Sequence, residues 1–266
     1  GPWIELHMRR KQHIGLPELL DSARLGVANS LASGITTTMD SSFAGVSATA
    51  CAELGLRSII CLETFGTDIN AARKRFSELR NPFDKQHEVA TSTEEPLVML
   101  GVSPHAPYTT GTEIYHWANT LELPSATHAA ESPHEHEFMV SDSGPLKEIA
   151  AKCNILSPLN TSIDYLYNAG VLTSNLTIAH CVTVNEKEIE LLGETGVRVA
   201  HCPRSNAQLG CGIAPITDLI NHQVSVGIGT DSPASAPDFD MFAELRAAIF
   251  GARTQQKNAT ALSPTK

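Results

Sequence analysis

Four short motifs hold side chains whose types suit a metal-assisted hydrolysis: His105 in SPHAPYT, His128 and Glu131 in THAAES, His180 in IAHC, and Asp231 in GIGTDS. Imidazole nitrogens and carboxylate oxygens are ligands that zinc and iron accept, and a nearby carboxylate can carry a proton to or from the reacting group. Each of these residues stands where an apolar run stops. Singly, each has a plain structural explanation, since a histidine beside a strand is often a hydrogen-bonded core residue and Thr-Asp-Ser is an ordinary turn or helix cap. Chance would not place His, then His with Glu, then His, then Asp at the ends of successive runs.

Those runs are short and rich in β-branched residues. Seven are present, at 35–39, 57–62, 97–102, 125–128, 176–180, 197–201 and 224–229. Most lack an alternating pattern, as strands buried on both faces do. Amphipathic stretches lie between them at 16–33, 70–79, 113–121, 185–195 and 239–252, with Asp68, Thr112 and Asp238 as expected caps. Alternation of β and α predicts parallel strands joined by right-handed crossovers. A doubly wound open sheet is the rival, but no run leads into a GxGxxG or P-loop, and polar residues gather after many strands rather than one. That favours a (β/α)8 TIM-like barrel, whose site is built from all its strand ends.

A chain of 266 residues suits one such domain, spanning 1–266. The apolar runs are strand-length, too short to span a membrane, and a formal charge of -10 without a Lys/Arg stripe argues against nucleic acid. Six cysteines at 51, 61, 153, 181, 202 and 211 form no CxxC pair, which fits reduced thiols in a cytoplasmic protein. A homo-oligomer is compatible with the chain but leaves no signature in it.

The runs SPHAPYTTG, THAAES, IAHC, HCPRSNAQLGCGIAPI and GIGTDSPASAPDFDMFAELRAA resemble the amidohydrolase superfamily. The closest branch holds the cytosine, guanine, methylthioadenosine, S-adenosylhomocysteine and aminofutalosine deaminases and the triazine chlorohydrolases. LETFG at 62–66 supports this more weakly. The resemblance covers essentially the whole chain and implies a divalent metal, zinc or iron, and a small heterocyclic substrate. It implies His128 and Asp231 as metal ligands, and Glu131, His180 and Asp231 as catalytic residues. Glu131 would be the proton shuttle, and His180 would polarise the attacked or leaving group. His105, Arg204, Ser205 and Asn206 resemble substrate-facing residues, although Arg204 also reads as a surface ion pair and Asn206 as a turn cap. The implied reaction is hydrolytic deamination of an aminated heterocycle such as an adenosine derivative. A chlorohydrolase-type or other amidohydrolase, or a metal-free barrel acting as a binding module, remains open.

The family's strand one ends in a His-x-His pair that supplies two ligands, and no buried run here carries one. His7 and His13 lie in a Lys/Arg-containing helical stretch, and His134-Glu135-His136 reads as exposed polar surface after strand five. PWIELHMRR looks like the segment that follows strand one. The expectation is an incomplete barrel in which strands two to eight are present and strand one and both family termini are missing, holding no fully coordinated catalytic metal as written.

Overall fold

A computed structural model describes residues 13–87 and 96–263. The PWIELHMRR segment and His7 lie outside the described residues, whereas His13 is exposed. The elements run α1 (Leu16–Ala32), β1 (Thr37–Ser42), α2 (Val46–Leu54), β2 (Arg57–Thr64), α3 (Ile69–His87), β3 (Val98–Pro104), α4 (Thr112–Thr120) and β4 (Ser125–Ala129). They continue with α5 (Pro133–Ser141), α6 (Lys147–Lys152), α7 (Ser162–Asn168), β5 (Leu176–His180), α8 (Glu186–Thr195), β6 (Arg198–His201), α9 (Pro203–Gln208), α10 (Ile216–Asn221), β7 (Ser225–Ile228) and α11 (Met241–Gln256).

The seven strands form one parallel sheet in the order β1-β2-β3-β4-β5-β6-β7. A doubly wound sheet reverses its order at a switch point, so unbroken sequential order is that of a barrel wall. The seven expected strands are all present, several displaced by a few residues. The first moves most, from 35–39 to Thr37–Ser42, because the chain emerges from α1 through the left-handed Gly34 before it can pair. The edge strands are the least covered: β7 has no buried residue, whereas β2 buries six of its eight.

Two apolar clusters pack the helices onto this wall. One joins Val27, Ile60, Leu62, Phe76, Val102 and Ile114 around β1 to β3, and the other joins Ile163, Leu166, Ile178, Leu192, Val199 and Leu219 around β5 and β6. Burying each such aliphatic side chain stabilises the fold by about 1.5–3 kcal/mol. Strands β2, β3 and β4 approach so closely at Gly101 that a Cβ there would stand 2.5 Å from Cys61 Sγ and 2.8 Å from the Pro124 carbonyl oxygen. No larger residue fits that position.

Helix starts follow their caps. Asp68 Oδ1 accepts from the Asn70 and Ala71 amides, and Asn185 and Glu188 form a reciprocal capping box on α8. Two expected caps differ. Gly111 rather than Thr112 precedes α4, and α11 is capped by Asp240, because Asp238 instead pairs with Arg204. All six cysteines are free, and no helix among the described residues is long and apolar enough to cross a membrane.

Candidate functional site

The strand tips meet at the C-terminal mouth of the sheet, and β2, β3 and β4 build one side of it. Their frame is main chain. Glu63 lies opposite Ser103 in the β2–β3 register, the His105 amide donates to the Thr64 carbonyl (3.1 Å), and the His128 amide donates to the His105 carbonyl (2.8 Å). Arg75 fixes the β2 tip by donating from Nε to the Glu63 carbonyl (3.2 Å) while its guanidinium lies 4.6 Å from the Phe43 ring centre. Phe65 packs against His105 with centroids 4.9 Å apart, and His105 lies 5.1 Å from His128.

Tautomers on this side follow from the hydrogen bonds. His128 Nδ1 lies 3.0 Å from the His105 carbonyl oxygen, which can only accept, so Nδ1 carries a proton and in the neutral ring Nε2 holds the lone pair. Thr109 Oγ1 donates to the Ala106 carbonyl (3.1 Å) and therefore accepts from His105 Nδ1 at 2.7 Å, so the neutral His105 ring is the Nδ1–H tautomer as well. Burial alone would lower the His128 pKa, but Glu63, Glu131, the His105 carbonyl and Asp231 outweigh it and raise it.

The opposite side, from β5 to β7, is held by side chains. His180 is 1% exposed, and its Nδ1 donates to Asn206 Oδ1 (2.9 Å), which turns Nε2 toward Glu131 Oε1 at 3.8 Å. Asp231 accepts from the Ser205 hydroxyl (2.5 Å), the Ser235 hydroxyl (2.8 Å) and the Ser232 amide (2.6 Å). Burial would raise its pKa, yet these donors and His180 hold it below the usual carboxylate range. His180, Cys181 and Asp231 have φ values of 78°, 48° and 57°, and Ala130 at the β4 tip has 54°. Such strain costs about 1–3 kcal/mol per residue and gathers where side chains must be aimed.

Behind β4 lies a residue that the sequence placed on the surface. Glu135 is fully buried and accepts from the Ala130 and Glu131 amides (both 2.8 Å) and from the Ser162 hydroxyl (2.5 Å), while its neighbours His134 and His136 are exposed. Helix α5 starts at Pro133 under a Ser132 cap, so its third residue turns back under the strand tip and ties down the turn that carries Glu131. Burial pushes the Glu135 carboxyl up to about 7 against the pull of those donors.

His105, His128, Glu131, His180 and Asp231 thus all stand at the same end of the sheet. Ser205 and Asn206 are buried; the Ser205 hydroxyl donates to Asp231 and Asn206 Oδ1 accepts from His180, whereas the buried Asn206 Nδ2 has no hydrogen-bond partner among the described residues. Arg204 forms ion pairs with Asp238 (2.6 Å) and Glu244 (3.7 Å) on the rim. One group of three among the described residues brings potential metal-ligand atoms within 4.8 Å of one another, and it is Glu63, His105 and His128. Glu63 went unnoticed in the sequence. Its signal was there in LETFG, an acid closing a buried apolar run like those before His128 and His180.

The model of the amidohydrolase family matches residues 20–266. The chain belongs to the amidohydrolase family. Among its relatives, the 5-methylthioadenosine/S-adenosylhomocysteine deaminase of Pyrococcus horikoshii is 31% identical over 237 residues, 87% of this chain and 52% of that protein. The 5'-deoxyadenosine deaminase of Methanopyrus kandleri is 32% identical over 235 residues, 85% of this chain and 49% of that protein. The zinc-bound structure of an adenosine deaminase from Xanthomonas campestris superposes with a TM-score of 0.79 at 28% identity, covering 98% of this chain and 57% of that one. Atrazine chlorohydrolase from Arthrobacter aurescens shares the fold, with a TM-score of 0.76 at 19% identity over 98% of this chain and 61% of that one. The chain spans about half the length of the relatives it matches.

Proposed function

We propose that this amidohydrolase takes part in the metal-dependent hydrolysis of a C–N bond, removing the amino group of an aminated heterocycle of the adenosine type. The carrying observation is the pairing of Glu131 Oε1 with His180 Nε2 at 3.8 Å, across the tips of β4 and β5 and beside His128. The 5'-deoxyadenosine and 5-methylthioadenosine/S-adenosylhomocysteine deaminases among its relatives support the substrate class.

In this reading His128 and Asp231 face a divalent metal, zinc or iron(II). His128 offers an Nε2 lone pair and Asp231 a carboxylate kept ionised, both of which suit such an ion. When bound, the metal supplies Lewis acidity and brings the pKa of a water close to neutrality. Glu131 takes a proton from the attacking water and delivers it to the departing amine. His180, buried and fixed by Asn206, orients and polarises the attacked ring position through Nε2. Ser205 and Ser235 keep Asp231 ionised and aimed. Arg204, already paired with two carboxylates, shapes the rim.

The test is ammonia release from 5'-deoxyadenosine by the zinc-loaded chain, with the change in purine ultraviolet spectrum as a second readout. Glu131→Gln is expected to retain metal and lose about 10²–10⁴-fold in turnover. Wild-type turnover in that variant would defeat the assignment of Glu131, and a zinc-loaded chain releasing ammonia from no aminopurine would defeat the deaminase reading.

A further inference from the structure

We propose that Glu244 is a positioning residue of the barrel mouth: its carboxylate caps α9 from α11 and so holds Ser205 against Asp231 and Asn206 against His180. The proposal deepens the hydrolase reading and rests on it for the parts that Asp231 and His180 play.

Three observations converge on it. First, α9 does not cap itself. The side chain of Cys202, at its cap position, makes no cap hydrogen bond, and the thiol turns instead to the Ala200 carbonyl (3.7 Å). Pro203 has no amide to offer. The first bond inside the helix runs from the Asn206 amide to the Cys202 carbonyl (3.0 Å), which leaves the Arg204 amide without an acceptor in its own helix. Glu244 Oε2 supplies one at 3.2 Å. A side chain 40 residues away in sequence thus does what a Ser, Thr or Asp at the cap position does locally.

Second, the carboxylate is built in at a cost. Helix α11 presents Glu244, Ala248 and Ala252 on one buried stripe, under an Asp240 cap that accepts from the Ala243 amide at 3.0 Å. Glu244 is fully buried, and its Oε1 has no hydrogen-bond partner among the described residues, the Arg204 guanidinium standing 3.7 Å away. Burying a carboxylate that is not fully paired is unfavourable, and an alanine like the two that follow on the stripe would avoid that cost. What the carboxylate adds is its hold on the Arg204 amide.

Third, the two residues that follow the capped amide are the ones that brace the site. The Ser205 hydroxyl donates to Asp231 (2.5 Å), and Asn206 Oδ1 accepts from His180 Nδ1 (2.9 Å). Helix α9 is six residues long, so a shift at Arg204 passes directly to both. Glu135 holds the turn of Glu131 in the same manner across the mouth, through the Ala130 and Glu131 amides.

The test reads the His180 Nδ1 proton, buried and donated to Asn206, by its solvent exchange in protein labelled with heavy-nitrogen histidine. Its resonance is the one lost in His180→Gln. Glu244→Asp keeps the charge and draws the carboxylate back by about 1.5 Å, the length of one C–C bond. It should speed that exchange by about tenfold or more, because the local opening that exchange reports no longer has to break the cap. Glu244→Ala should do at least as much, and Glu244→Gln, which leaves an acceptor oxygen facing the Arg204 amide, should restore slow exchange. With 5'-deoxyadenosine, Glu244→Asp is expected to lower kcat by about 10–100-fold with KM little changed. Circular dichroism and melting report whether each variant folds, and Glu244→Asp with Glu244→Gln decides the matter if Glu244→Ala does not fold. Exchange unchanged in folded Glu244→Asp, or equally fast in Glu244→Gln and Glu244→Asp, overturns the proposal. Exchange is read without turnover. A chain whose His180 exchange follows Glu244 and that deaminates nothing therefore sinks the hydrolase reading alone, and deamination with exchange indifferent to Glu244 sinks the anchor alone.

Discussion

The two sides of the barrel mouth solve the same problem with different materials. From β2 to β4 the functional side chains are aimed largely by main-chain hydrogen bonds and strand register, with Thr109 bracing His105 and Glu135 bracing the turn of Glu131. From β5 to β7 they are aimed by neighbouring side chains, Asn206 on His180 and Ser205 with Ser235 on Asp231, and by left-handed backbone at the residues themselves. Where the braces are main chain, as between His105, Thr64 and His128, they persist through substitution. Side-chain bracing is open to adjustment one residue at a time, and so the β5–β7 side can be retuned without disturbing the wall.

The sharpest break of this contrast is at Asp231. Asp231→Asn removes a charge held by three donors and is expected to cut turnover by about 10²–10⁴-fold while melting changes little. If kcat survives and only KM rises, the carboxylate binds substrate and takes no part in proton transfer. Next comes Glu135→Ala, which orphans two buried amides and the Ser162 hydroxyl, each worth about 1–3 kcal/mol, and frees the turn carrying Glu131. A large fall in both melting temperature and kcat is expected. Wild-type kcat at a temperature where the variant is folded would show that the turn holds itself.

Ser205→Ala tests bracing alone. Losing one hydrogen bond to a charged group costs about 1.5–3 kcal/mol, expected mainly as a fall in kcat, and the lowered Asp231 pKa should move up, shifting the acid limb of the pH–rate profile to higher pH. An unmoved limb would mean that Ser235 and the Ser232 amide suffice.

The smallest effects are in pH dependence, and the two sides carry opposite signs. Burial, with His180 nearby, lowers His201 from 6.5 to about 4, so the unfolded chain binds the proton first and stability is lost as pH falls through that interval. Glu135 is raised from 4.5 to about 7, so the folded chain holds its proton longer and stability is lost as pH rises through that interval. The slopes oppose each other where the intervals overlap. Glu135→Gln should uncover a melting temperature that rises with pH, and His201→Gln one that falls; melting curves across that range, with either slope of reversed sign, would refute the corresponding assignment.

Strand order and the mouth's orientation were legible because both depend on local signals: buried runs of β-branched residues, and polar residues following each one. His128, Glu131, His180 and Asp231 follow their runs directly and could be placed. Glu63 directly follows the run at 57–62 in the same way, and it escaped because a lone acid with no imidazole in its own motif carries no metal signal by itself. Glu135 escaped because His134-Glu135-His136 looks uniformly polar. Only the Ser132 cap and Pro133, which start a helix there, reveal that its middle residue faces inward. The bracing roles of Ser205 and Asn206 depend on α9 folding back across the sheet, a tertiary event with no sequence period. Asp238 was legible as an acidic cap and became half of an ion pair for the same reason.

The sequential strand order bears on how the chain assembles. Every strand from β2 to β7 pairs with the one before it in sequence. No pairing skips a strand, so each closure spans a single crossover, the longest being 130–175, and such closures cost less chain entropy than joining the two ends of the chain. On a ribosome, where N-terminal parts emerge first, each new strand meets a partner already made, and the growing edge is, beside the outer edge of β1, the unpaired strand edge at any moment. Synthesis and folding can therefore advance in the same direction, one βα step at a time.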